Sequence, residues 1–81
     1  MTHDELVEAM ETLFNWSREP RAASTYVQDY VYLAFVYAKD FNMKAARRSI
    51  ATLRSSLRVG LPVVDKGYEI AVMAVELFDA K

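Results

Sequence analysis

Residues 26–41 read YVQDYVYLAFVYAKDF. Set out at 100° per residue, their apolar and aromatic side chains take nearly every angle of the wheel, the mark of a helix covered on most of its sides. Its longest run without charge, Tyr30 to Ala38, is bounded by Asp29 and Lys39. That is far short of the about 20 apolar residues a membrane span requires. The stretch therefore reads as a central core helix. Its one polar stripe holds Gln28, Asp29 and Lys39, and Tyr32, Phe35 and Val36 share that arc. Those three side chains are expected either to lie under another helix or to form an exposed apolar patch rimmed by polar groups, the kind that partners use.

Upstream, the start of this helix is less sharply marked than its body. A Ser17 cap allows a beginning at Arg18, a Thr25 cap with Gln28 at the capping-box spacing allows a later one, and Pro20 fits a helix only in its first turn. The helix is placed at about residues 20–40. Before it, Thr2 followed by Glu5 has capping-box spacing and predicts a first helix over about residues 3–16. Leu6, Met10, Leu13 and Phe14, with Ala9, fall on its inner side, and Asp4, Glu8, Glu11 and Asn15 on the outer. His3 is expected to be exposed and inert near the fraying end.

Downstream, Asp40 to Asn42 form a short connection suited to capping the next helix or to an unusual backbone angle. A third helix is predicted over about 43–58, ended by Gly60 and Pro62. A fourth follows over about 63–80, with Gly67 weakening its first turn. Ile70, Ala74, Leu77 and Phe78 face inward there, opposite Asp65, Glu69, Glu76 and Asp79. Tyr30, Leu33, Ala34 and Tyr37, followed by Ala46, Ile50 and Leu53, resemble the packing positions of a tetratricopeptide repeat. Leu53 stands where that repeat has a small residue, its closing proline is displaced to Pro62, and no second copy follows. What the resemblance implies is a helical hairpin.

The expected fold is all-α: a small antiparallel four-helix bundle forming a single domain over residues 1–81. Composition agrees, with 53% hydrophobic residues and only two Gly and two Pro. A chain this short buries only about two-thirds of its unfolded surface, so its core must be dense or shared. With no Cys, disulfides, thiolate metal sites and thiol nucleophiles are excluded, and a cytoplasmic location is expected. Met1 to Glu11 carry four carboxylates and no Lys or Arg, the reverse of a secretory leader.

The clearest functional signal is the third helix. It holds Lys44, Arg47, Arg48, Arg54 and Arg58 and no acidic residue, in a chain of net charge −1. The five fall within an arc of roughly 120°, opposite Ala46, Ile50, Leu53 and Leu57. Arginine's planar fork suits carboxylate or phosphate, so the stripe reads either as a solvated face balanced by the acidic helices or as a docking surface. A single histidine and no phosphate-cradling glycine loop argue against an enzyme. No metal and no cofactor are expected, because the carboxylate pairs Asp4/Glu8 and Asp65/Glu69 are explained by the helix dipole.

The reading is a helical protein-interaction module that recruits, blocks or regulates an acidic-faced protein partner, alone or as a homodimer. Its expected contact residues are Lys44, Arg47, Arg48, Arg54 and Arg58 with Tyr32, Phe35 and Val36. The alternative is a nucleic-acid-binding regulator that uses the same stripe. As a helix-turn-helix, however, the second and third helices fail in register, because Arg48 falls at an inward position. Neither reading involves a membrane.

Overall fold

Thr2 starts the first helix by accepting a hydrogen bond from the Glu5 amide at 3.1 Å, while the Glu5 carboxylate accepts one from the Thr2 amide at 2.9 Å. The reciprocal cap satisfies two donors that a helix start otherwise leaves without partners. The computed structural model describes residues 1–59 and 65–80. Its elements are α1 (His3–Ser17), α2 (Thr25–Lys39), α3 (Met43–Val59) and α4 (Asp65–Asp79). Together they make a small all-α four-helix bundle, and no helix in it is long and apolar enough to cross a membrane.

The central role read from residues 26–41 belongs to α2, which packs against each of the other three helices. So does α4, whereas α1 and α3 make no close backbone approach to each other. They stand on one diagonal of the bundle. Leu6, Met10, Val27, Val31 and Ile70 are fully buried between the helices, each contributing about 1.5–3 kcal/mol by leaving water. Ala34, Ala38, Ala46 and Ala74 are also fully buried. As small residues they let the helix backbones come close.

One boundary differs from expectation. The second helix begins at Thr25 rather than near residue 20, because Ser24, not Ser17 or Thr25, caps it by accepting from the Val27 amide. Arg21 takes a left-handed angle, φ 64°, one residue after Pro20, and no helix passes through that. Ser17 instead closes α1, fully buried with its hydroxyl donating to the Phe14 carbonyl at 2.7 Å. The predicted stop at Gly60 and start near Pro62 or Val63 lie outside the described residues. Within α4, Ile70 and Ala74 face the core as expected, joined by Ala71, while Leu77 and Phe78 are half-buried.

His3 is partly buried and bonded, where exposure was expected. Its Nε2 hydrogen-bonds the Ala38 carbonyl at 2.8 Å, and its ring stacks on Phe41 with centroids 4.5 Å apart. Ala38 lies in the last turn of α2. The Phe41 amide donates to the same carbonyl and the Asn42 amide to that of Tyr37, the double closure that ends many helices with a glycine in the left-handed position. Here Phe41 occupies that position at φ 61°, where a side chain costs about 1–2 kcal/mol. The stacking on His3 offsets part of this. It also joins the first turn of α1 to the junction of α2 and α3.

Two outcomes follow. In a double-mutant cycle, His3→Ala and Phe41→Gly should show a coupling of about 0.5–1.5 kcal/mol in urea denaturation. Additive effects would mean that the ring contact contributes nothing. Separately, the hydrogen bond from the Thr2 backbone, and then that with its side chain, hold the Glu5 carboxyl below its ordinary value of 4.5. A carboxylate lowered on folding stabilises above its unfolded value, and that stabilisation is lost as pH falls through the folded value. The Tm advantage of the wild type over Glu5→Gln should therefore be greatest at neutral pH and disappear in acid.

Candidate interaction surfaces

Asn42 starts α3 by accepting, through its side-chain oxygen, a hydrogen bond from the Ala45 amide at 3.3 Å. From this start the apolar positions turn inward: Ala46, Ile50 and Leu53 are buried. The serines on that side are satisfied locally, Ser49 donating to the Ala45 carbonyl and Ser56 to that of Thr52. With the Ser56 proton so committed, Tyr26 donates its phenol to the Ser56 oxygen at 2.5 Å, pinning α2 to α3. These contacts fix the rotation of α3. Lys44, Arg47, Arg48 and Arg58 are left exposed on the opposite side.

Arg54 differs from the rest of the stripe. It is ion-paired and hydrogen-bonded to Asp79 of α4. Both groups are well exposed, so the pair contributes about 0–1 kcal/mol. It is the one ion pair among the described residues. Intramolecular balancing of the basic stripe by acidic helices thus reaches Arg54, and no described carboxylate pairs with Lys44, Arg47 or Arg48.

Those three cations work against their own helix. Lys44 lies in the first turn of α3, where the positive end of the helix dipole disfavours a cation by about 0.3–1 kcal/mol. Lys44 with Arg47 and Lys44 with Arg48 are also like-charged neighbours one turn apart, each costing about 0.2–0.5 kcal/mol. By contrast, α1 carries Asp4 and Glu5 in its first turn, where the dipole favours them.

The arc of Tyr32, Phe35 and Val36 divides between the two expected arrangements, part of it covered by a neighbouring helix and part left open. Phe35 is 8% exposed and belongs to the core. Phe14 of α1 stacks on it at 6.1 Å and also meets Tyr32 at 5.0 Å. Tyr32 is 45% exposed and Val36 half-buried, so the arc borders α1 rather than the basic stripe. The aromatic groups beside the stripe are Tyr30 and Tyr37. With Leu33, Ala45, Arg48 and Ser49 they line a shallow groove of about 210 Å³ between α2 and α3. Of these, Tyr30, Leu33 and Tyr37 are tetratricopeptide-like positions that the sequence reading assigned to packing.

A second and larger depression lies on the far side, between α1 and α4. It measures about 550 Å³ and is floored by Ala9, Leu13, Met73, Leu77 and Ala80. An adjoining hollow of about 370 Å³ shares Ala9 and Thr12 with it and runs on past Glu8 and Glu5 to Met1. Among the described residues, the charged ones that line the two are Glu5, Glu8 and Glu76, all acidic. Neither α1 nor α4 signalled this groove in the sequence, because each alone reads as an ordinary amphipathic helix.

Among the described residues no group of three or more His, Asp or Glu side chains is placed to hold a metal ion. Comparison with family models, with curated proteins and with solved structures returned no match.

The assignment of Phe35 to the core has a direct test. Phe35→Ala should lower unfolding stability by about 3–5 kcal/mol, the cost of an aromatic cavity, whereas Tyr32→Ala should cost about 1 kcal/mol. Equal small losses in urea denaturation would return Phe35 to the surface.

Proposed function

We propose that this protein is a non-catalytic helical interaction module that docks onto an acidic face of another protein, in the cytoplasm, to recruit, block or regulate it. The observation that carries this reading is the cluster of Lys44, Arg47 and Arg48 at the start of α3. The helix dipole opposes Lys44, mutual repulsion opposes all three exposed cations, and no described carboxylate pairs with them. A local arrangement that works against folding is characteristic of a site kept for function. Arginine forks at Arg47 and Arg48 select carboxylates by paired hydrogen bonds, and the groove lined by Tyr30, Leu33 and Tyr37 gives an apolar side chain of the partner a place beside them. Tyr32, Phe35 and Val36 are not part of this surface.

The nucleic-acid reading uses the same cations and differs in its salt response. Phosphate contacts release counterions, so three of them weaken binding about 40-fold between 50 and 200 mM salt. A protein interface that also packs apolar groups falls less steeply.

The test is a triple variant, Lys44→Gln, Arg47→Gln and Arg48→Gln. Because the three charges oppose the fold, its thermal stability should equal or exceed that of the wild type by up to about 1 kcal/mol. A protein captured by the wild type from nuclease-treated lysate, then purified and titrated back, should bind the variant at least tenfold more weakly. Equal affinity would make the stripe a solvated face. Capture that vanishes with nuclease would transfer the site to nucleic acid.

A further inference from the structure

The basic face of α3 and the groove between α1 and α4 lie on different sides of the bundle, since α1 and α3 make no close approach to each other. They are complementary in charge. One face offers Lys44, Arg47, Arg48 and Arg58 around exposed Ala51 and Ser55. These positions form a single ridge of about 21 Å at 1.5 Å per residue. The other offers an apolar floor at Ala9, Leu13, Met73, Leu77 and Ala80 that continues past Glu8 and Glu5 as a more polar hollow, with Glu5, Glu8 and Glu76 along its edge. From Glu5 to Leu13 it follows α1 for about 12 Å on the same rise.

We infer that the groove between α1 and α4 receives the basic face of α3 from a second copy of this chain, joining copies head to tail. Resting on the cationic docking face proposed above, the inference names its partner. The small Ala51 at the centre of the ridge lets the backbone of α3 approach the floor at Ala9 and Ala80. Arginine stems carry enough methylene groups to cover an apolar floor while their guanidinium groups reach outward, here to Glu5, Glu8 and Glu76. Two grooves or two stripes placed face to face would set like charges against each other, so the contact is between unlike faces. Because ridge and groove lie on different sides of the bundle, one two-fold contact cannot engage both, and copies join head to tail. A net charge of only −1 leaves little overall repulsion between copies.

Two variants that each disable one face test this. Glu8→Lys with Glu76→Lys reverses the groove rim, and Lys44→Ala, Arg47→Ala and Arg48→Ala neutralise the ridge; all five positions are exposed, and circular dichroism checks that both variants fold. Sedimentation equilibrium of the wild-type chain should show an average mass that rises with concentration beyond the dimer at about 0.05 M salt and returns to the monomer at about 0.5 M. Each variant alone should remain monomeric. An equimolar mixture of the two should rise only to the dimer, because one intact ridge meets one intact groove and the chain cannot extend. A wild type that is monomeric throughout overturns the inference, as does self-association that both variants retain. If the wild type is monomeric while the Gln variant still loses its captured protein, the docking face stands and only its occupant was misassigned.

Discussion

A helix that is apolar on almost every side can persist in water only if other helices cover it, and α2 imposes that demand on the whole chain. Three covering helices are available, and each of them packs against it. The demand explains why the flanking helices are amphipathic, why alanines stand where they cross α2, and why their polar faces are pushed to the outside. It also fixes where the acidic and basic surfaces lie. With α1 and α3 held apart on one diagonal, the carboxylates of the first and the cations of the third have little chance to neutralise one another.

Much of this arrangement was legible in the sequence. The capping box at Thr2 and Glu5 is a local contact three residues long, and it appears as read. The nearly continuous apolar wheel of residues 26–41 marked the central helix because cover on most sides leaves that pattern. What escaped depended on neighbours. Phe35 shares an arc with Lys39, so its angle alone suggested the surface, yet Phe14 covers it from α1 and Lys39 lies 5.9 Å from its ring. Residues 17–24 carry two serines and a threonine follows, all able to cap, and only the turn through Arg21 decides in favour of Ser24.

The interaction surfaces divide along the same line. The basic stripe is a property of one helix and periodicity reveals it. The Arg54–Asp79 pair, the tyrosine groove beside Arg48 and the acidic-rimmed groove each need two helices, and no pattern within one segment announces them. His3 is the sharpest case. A lone histidine at a chain end has no signature for a bond to a carbonyl 35 positions away.

That bond carries a consequence for how the chain can be handled. Through Ala38 and Phe41 the first turn of α1 is fastened to the segment that launches α3, and Asn42 and Lys44 follow immediately. Whatever is attached ahead of His3, whether an affinity handle or a fused domain, is therefore mechanically linked to the start of the cationic ridge. The end of α4 meets the same helix at another point, through the pair of Asp79 with Arg54, and Ala80 beside it lines the acidic-rimmed groove. A tether at either end therefore bears on one of the two faces.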